Sequence, residues 1–263
     1  MHLLTSWNLL YALSGLLVGV LVGLTGVGGG SLMTPLLVLL FGVHPTTAVG
    51  TDLLYAAATK TVGTGVHGFK RTVQWNIVAW LAAGSVPATI LTLWILSLQA
   101  KHAAASANAL ITTALGWALL VTSVAILFRK TIVAFAVRRT GELEPRRAAA
   151  FTILLGAILG VLVSLTSVGA GALGMTVLLI LYPQMDVAKL VGSDIAHAVP
   201  LTLLAGLGHW MMGSVDWMLL VSLLSGSIPG IVIGSLLAAR TPDGVLRPVL
   251  AGTLLLVGVK MLT

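Results

Sequence analysis

The chain is a succession of apolar runs, too long and too evenly apolar for any fold built around water. Ile77–Leu96, Ala148–Leu165 and Trp217–Leu237 are each continuous stretches of this kind, and a helix needs about 20 such residues to cross a bilayer. In lipid only helices and closed barrels satisfy their own backbone. Barrel strands alternate apolar and polar residues over short segments, and these runs do not alternate. Charged residues make up 8% of the 263 positions, about a third of the share in a soluble chain. The expected fold class is therefore an all-α polytopic membrane protein. The N-terminus has no basic stretch and no cleavage pattern, so it reads as part of the spanning structure and not as a removable signal. Cysteine is absent, which excludes disulfides, thiolate catalysis and cysteine-bound metals.

The two halves of the sequence resemble each other. Gly15–Leu32 set on Gly156–Leu173, a shift of 141, matches at 11 of 18 positions. One inserted residue later, at a shift of 142, Gly50-Thr51-Asp52 falls on Gly192-Ser193-Asp194, His67 on His209, Trp75 on Trp217, and Gly84-Ser85-Val86-Pro87 on Gly226-Ser227-Ile228-Pro229. Apolar bias aligns Leu with Val; it does not align Thr, Asp, His, Trp and Pro in order. The organisation is a first transmembrane repeat over 1–128, a basic connector over 129–147, and a second transmembrane repeat over 148–263.

The connector holds six of the 14 basic residues: Arg129, Lys130, Arg138, Arg139, Arg146 and Arg147. By the positive-inside rule it is expected to be a cytoplasmic loop. Basic residues change places between the halves. Lys70 and Arg71 precede Trp75, whereas the matching turn at Met212–Asp216 has none; Arg240 and Arg247 occupy the following connection, where the first half has Lys101. This exchange is what two inverted repeats predict. It requires that the opening units, 9–42 and 149–183, each make an even number of crossings, as a tight helix pair or a re-entrant hairpin.

Those opening units must be interrupted. Residues 9–42 are nearly all apolar, but 34 residues of helix would reach about 51 Å across a hydrocarbon core of about 30 Å. Gly26-Val27-Gly28-Gly29-Gly30-Ser31 marks the break, and Ser167-Val168-Gly169-Ala170-Gly171-Ala172 repeats it. Irregular backbone at membrane depth survives only buried in protein or lining a cavity. The helix that restarts after it exposes amide N–H groups that attract anions. The expected site is a pair of facing anion cradles: Gly28, Gly29, Gly30 and Ser31 in one, Gly169, Ala170 and Gly171 in the other, with Thr25 and Thr166 as hydroxyl donors. Small residues that only let helices pack closely are the structural alternative.

Ionisable residues inside spans usually mark function. Asp52 and Asp194 are the carboxylates nearest apolar spans, although Thr51-Asp52 and Ser193-Asp194 are also good helix-capping pairs. Ser193 counts among the hydroxyl donors. Lys60 is eight residues from Asp52, on roughly the same helix face, and a buried lysine needs a counter-charge or an anionic ligand. Its counterpart is Thr202, so the site is asymmetric. His197 precedes Pro200, which leaves the Ala196 carbonyl unpaired, and is a candidate donor. His67 and His209 fall near span ends and read as interfacial. No metal site is expected from histidines without ligand spacing.

These features resemble the TauE/SafE family of membrane transporters, associated with export of sulfite and of organosulfonates such as sulfoacetate. The resemblance rests on Thr25-Gly26-Val27-Gly28-Gly29-Gly30-Ser31, on Gly50-Thr51-Asp52 and on their second-half echoes. The second copy departs from the first at Ala170 and Ala172, which implies unequal cradles. The resemblance implies a sulfur-containing anion; the residues themselves imply an anion. The resulting expectation is a multi-pass inner-membrane secondary transporter, not an enzyme, working by alternating access. It needs no cofactor, its partners are a small anionic substrate and the lipid bilayer and not nucleic acid, and its oligomeric state, a homodimer among the options, is left open. Competing readings are a channel or cation carrier, and an intramembrane aspartyl protease using Asp52 and Asp194.

Overall fold

The computed structural model describes residues 9–25, 30–69, 71–102, 104–140, 143–237 and 243–262; side chains are described for these except 22–25, 30–31, 63, 65–69, 101–102, 104–107, 139–140, 235–237, 243–247 and 249. The described residues form helices and connections, with no strand. The first half supplies α1 (Leu9–Thr25), α2 (Gly30–Phe41), α3 (Pro45–Phe69), α4 (Trp75–His102) and α5 (Ala104–Leu127). The second supplies α7 (Pro145–Thr166), α8 (Ala172–Leu181), α9 (Val187–Met211), α10 (Trp217–Leu237) and α11 (Asp243–Leu262). Between them lies α6 (Arg129–Thr140), so much of the connector expected to be a loop is helical. Its sequence RKTIVAFAVRRT has basic residues at both ends and no Gly or Pro to interrupt it.

Among the described residues, five helices are long and apolar enough to cross a membrane, and shorter apolar helices accompany them, including Leu32–Phe41 and Ala172–Leu181. Large apolar side chains face outward, among them Trp94 on α4, Val221 on α10 and Leu256 on α11. An apolar surface this extensive belongs against lipid. The chain is an all-α, multi-pass membrane protein.

Packing units cut across the sequence repeats. Helix α1 packs on α10, and α7 packs on α4. One buried cluster joins α1, α2, α3 and α10 through Val18, Met33, Tyr55 and Leu223. A second joins α4, α7, α8 and α9 through Leu81, Leu159, Leu178 and Leu201. Each lobe thus takes three helices from one repeat and one from the other, and the second lobe's cluster also takes in Val49 and Leu53 of α3 and Ile111 of α5. The α5–α11 pair forms a third cluster.

The exchange is reciprocal at the level of single residues. Gly15 lies against Leu223 and its counterpart Gly156 against Leu81; Gly226 lies against Ala12, and Gly84 against Ile153. At all four places the contact is with backbone. Side chains follow the same rule: Tyr55 hydrogen-bonds Ser227, and His197 bonds Ser85. Repeat-equivalent helices run antiparallel where they meet. Along α3 and α9, Gly50 reaches His209 and Leu54 reaches Gly206; along α5 and α11, Gly116 lies on Gly258 while Ser123 donates to the Ala251 carbonyl.

A matched pair of hydroxyls ties the exchanged helix into each lobe, α10 to α3 in one and α4 to α9 in the other. The Asp216 N–H donates to Thr51 Oγ1 at 3.0 Å, and the Gln74 N–H donates to Ser193 Oγ at 2.8 Å. Asp216 and Gln74 immediately precede α10 and α4, where helical amides lack partners of their own. Ser193→Ala and Thr51→Val should each lower stability by about 1–2 kcal/mol by orphaning an N–H, read as an earlier thermal unfolding midpoint in detergent. Unchanged midpoints would show that these hydroxyls stabilise nothing.

Candidate anion site

The second break is where chain geometry and charge converge. Ser167 terminates α7 in the left-handed region with φ 59°, and Gly169 and Gly171 have φ of 119° and 113°. Only glycine takes the last two values without strain, so the glycine spacing follows from the turn. Thr166 Oγ1 donates to the Leu162 carbonyl at 2.6 Å and accepts the Val168 N–H at 3.1 Å. The Gly169 carbonyl accepts the N–H groups of Leu173 and Gly174. Helix α8 then starts from Gly171 with no side-chain cap, leaving its partly positive N-terminal end to whatever lies beside it.

Charged groups from α3 and α9 close on this end. Lys60 Nζ donates to the Ala170 carbonyl at 3.5 Å, and its ammonium is within electrostatic reach of Asp194 and Asp52. Asp194 presses its Oδ1 against Gly174, in the first turn of α8. Asp52 links α2 to the neighbourhood of the second break. Its Oδ2 accepts from the Thr34 hydroxyl at 2.6 Å and from the Thr34 N–H at 3.2 Å, near the start of α2, while the Ser167 hydroxyl faces the same carboxylate. His197 Nε2 hydrogen-bonds Ser85 Oγ at 2.8 Å, and the ring feels the Lys60 charge. Exposure is 0% for Asp52, 8% for Lys60, 3% for Asp194 and 0% for His197.

Several of these groups are only half used. Asp52 Oδ1, Asp194 Oδ1, Ser167 Oγ and His197 Nδ1 are buried without a hydrogen-bond partner. Buried polar groups are nearly always satisfied, so a cluster of four around one ammonium has the character of a binding site.

Asp52, Lys60, Gly169, Ala170, Gly171, Asp194 and His197 are thus gathered at one place. Thr166 and Ser193, expected as donors to the ligand, have hydroxyls already engaged: Thr166 stitches the turn, and Ser193 donates to the Lys189 carbonyl at 2.7 Å as well as receiving Gln74. Gly28 and Gly29 lie outside the described residues; Thr25 ends α1, and Gly30 and Ser31 open α2, with side chains outside the described set. His209, expected at an interface, is instead fully buried with Nε2 at 2.9 Å from the Ser164 carbonyl, because the antiparallel α3–α9 packing carries it inward.

Sequence reasoning passed over Thr34, Ser167, Ser85 and Tyr55. Thr34 had a signal in the repeat, since at the shift of 142 Met33-Thr34 falls on Met175-Thr176. Ser85 and Tyr55 carried one too: at the same shift they align with Ser227 and His197, the same residues they meet crosswise in space.

Residues 11–261 match the family model described as "Sulfite exporter TauE/SafE". The chain is 41% identical over 252 residues to "Probable membrane transporter protein YjnA" of Bacillus subtilis (strain 168), covering 95% of this chain and 98% of that protein. It is 28% identical to "Probable membrane transporter protein YdhB" of the same organism, covering 91% of this chain and 96% of that one. A "Probable membrane transporter protein" of Xylella fastidiosa (strain 9a5c) is also 28% identical, with coverage of 86% and 83%. No solved structure matches. Matched over nearly its whole length, the chain belongs to the sulfite exporter TauE/SafE family.

Proposed function

We propose that this protein is a secondary transporter that moves a small sulfur-containing oxyanion, sulfite or an organosulfonate such as sulfoacetate, across the inner membrane by alternating access. The observation that carries this reading is the buried Lys60 ammonium beside the uncapped start of α8. Together they offer an ammonium donor and the partly positive end of a helix to a ligand that has only oxygen acceptors. Family membership supplies the sulfur chemistry; the geometry supplies the anion. The antiparallel course of α3 against α9 and of α5 against α11 supports an inverted-repeat transporter, with the exchanged lobes, and not the sequence halves, as the bodies that rock.

The surplus of two carboxylates over one ammonium favours a cation as a further occupant, and the smallest such cation is a proton. Isothermal titration of the purified protein with sulfite, sulfoacetate, sulfate and chloride tests the main reading. Sulfite or sulfoacetate should bind at least about tenfold more tightly than chloride, a difference of about 1.4 kcal/mol. Equal affinity for all four, or binding of none, would overturn it.

A further inference from the structure

We infer that the anion enters this site together with a proton, and that Asp194 is the group that takes the proton up. The inference rests on the proposed anion site and adds the coupling ion.

Asp194 lies beside the position an anion would need. Its carboxylate flanks Gly174 in the first turn of α8 and is within reach of the Lys60 ammonium, so an anion drawn to Lys60 meets it. Asp52 is differently held, by two hydrogen bonds from Thr34. With Lys60 charged and both carboxylates ionised, the site is negative before any ligand arrives. A further anion in a water-poor interior would meet strong like-charge repulsion. Other titratable groups facing the cluster are His197 on α9, bonded to Ser85, Tyr55 on α3, bonded to Ser227, and Arg129 on α6, which Asp194 feels electrostatically. By sequence, α2 and α8 contribute no ionisable side chain.

A proton from water forms an O–H bond on the Asp194 carboxylate. The carboxylate becomes neutral, and Lys60 at the positive end of α8 turns to the incoming oxyanion. Release on the far side reverses both steps: the anion leaves, the proton returns to water, and Lys60 again faces a charged Asp194. One anion and one proton therefore travel in the same direction, so a monovalent anion moves no net charge and the sulfoacetate dianion carries one net negative charge with it.

The test uses sulfoacetate, whose acidic groups stay ionised near neutral pH, so proton uptake reports the protein. Purified full-length protein is titrated in weakly buffered solution with a pH indicator, and the isotherm is repeated across pH 6 to 8. About one proton should be taken up per anion bound, and affinity should rise about tenfold for each pH unit lowered. In Asp194→Asn, whatever its affinity, uptake should vanish and the isotherm should lose its pH dependence. Binding by the parent without proton uptake overturns the inference and leaves the anion reading standing; no binding of either sulfoacetate or sulfite at any pH overturns both. If uptake persists in Asp194→Asn and disappears in Asp52→Asn, the assignment to Asp194 is wrong. Because the parent alone gives the stoichiometry, a variant that fails to fold does not blunt the test.

Discussion

Lys60→Ala is expected to weaken binding of the preferred anion by roughly 100-fold or more. Removing one member of a buried, hydrogen-bonded charge pair costs about 2–5 kcal/mol, and every 1.4 kcal/mol is about tenfold in affinity. Loss of binding alone would not assign the residue, because the same change leaves Asp52 and Asp194 buried without a cation, which itself destabilises by about 3–5 kcal/mol. The charge-balanced double variant Lys60→Ala/Asp194→Asn separates the two. It removes one charge of each sign, so its unfolding midpoint should recover much of what the single variant loses. Its anion affinity should not recover, since the ammonium proposed to meet the ligand is still missing. Calorimetric titration and thermal unfolding of parent, single and double variants give the answer. A double variant that binds the anion as tightly as the parent would reduce Lys60 to a structural counter-charge.

Much of this site was legible before any fold was known, and the reason is chemical. An ionisable residue in an apolar run is rare enough to be noticed, so Asp52, Lys60 and Asp194 stood out singly, and the two glycine breaks stood out because a straight helix of that length does not fit a bilayer. What could not be read was who meets whom. Lys60 reaches the second break, and Asp52 accepts from Thr34 on α2 while the Ser167 hydroxyl faces it; these are consequences of the α3–α9 crossing, for which no local sequence signal exists. Thr166 and Ser193 failed as ligand donors for a related reason. A hydroxyl beside a break or before a helix serves the backbone first, and only the three-dimensional hydrogen-bond partners tell the two uses apart.

The exchange of helices between the repeats was hidden in the same way, and it carries the second large effect. A glycine pattern that fits α1 onto α4 of its own repeat fits it equally well onto α10 of the other, since α4 and α10 share the Gly-Ser-X-Pro segment. The structure selects the crosswise pairing, with Gly226 on the Ala12 backbone and Gly84 on that of Ile153. A methyl group at either glycine would fall inside contact distance of a carbonyl that cannot rotate away. Gly84→Ala and Gly226→Ala should therefore each destabilise by about 1–3 kcal/mol or more through overpacking, and by similar amounts, because the two contacts are repeat-equivalent. Gly252→Ala on α11 is the control: no atom lies near its added methyl, and removing a glycine from a helix interior should raise stability by about 0.5–1 kcal/mol. Thermal unfolding in one detergent measures all three. If α1 and α10 move as one body, Gly226→Ala should also slow anion exchange in proteoliposomes more than it weakens anion binding, because it disturbs a lobe and not the site. Opposite signs for the control and the two contact glycines are the expected pattern; an equal gain at all three would mean that α1 does not pack against α10 and that the lobes are not exchanged.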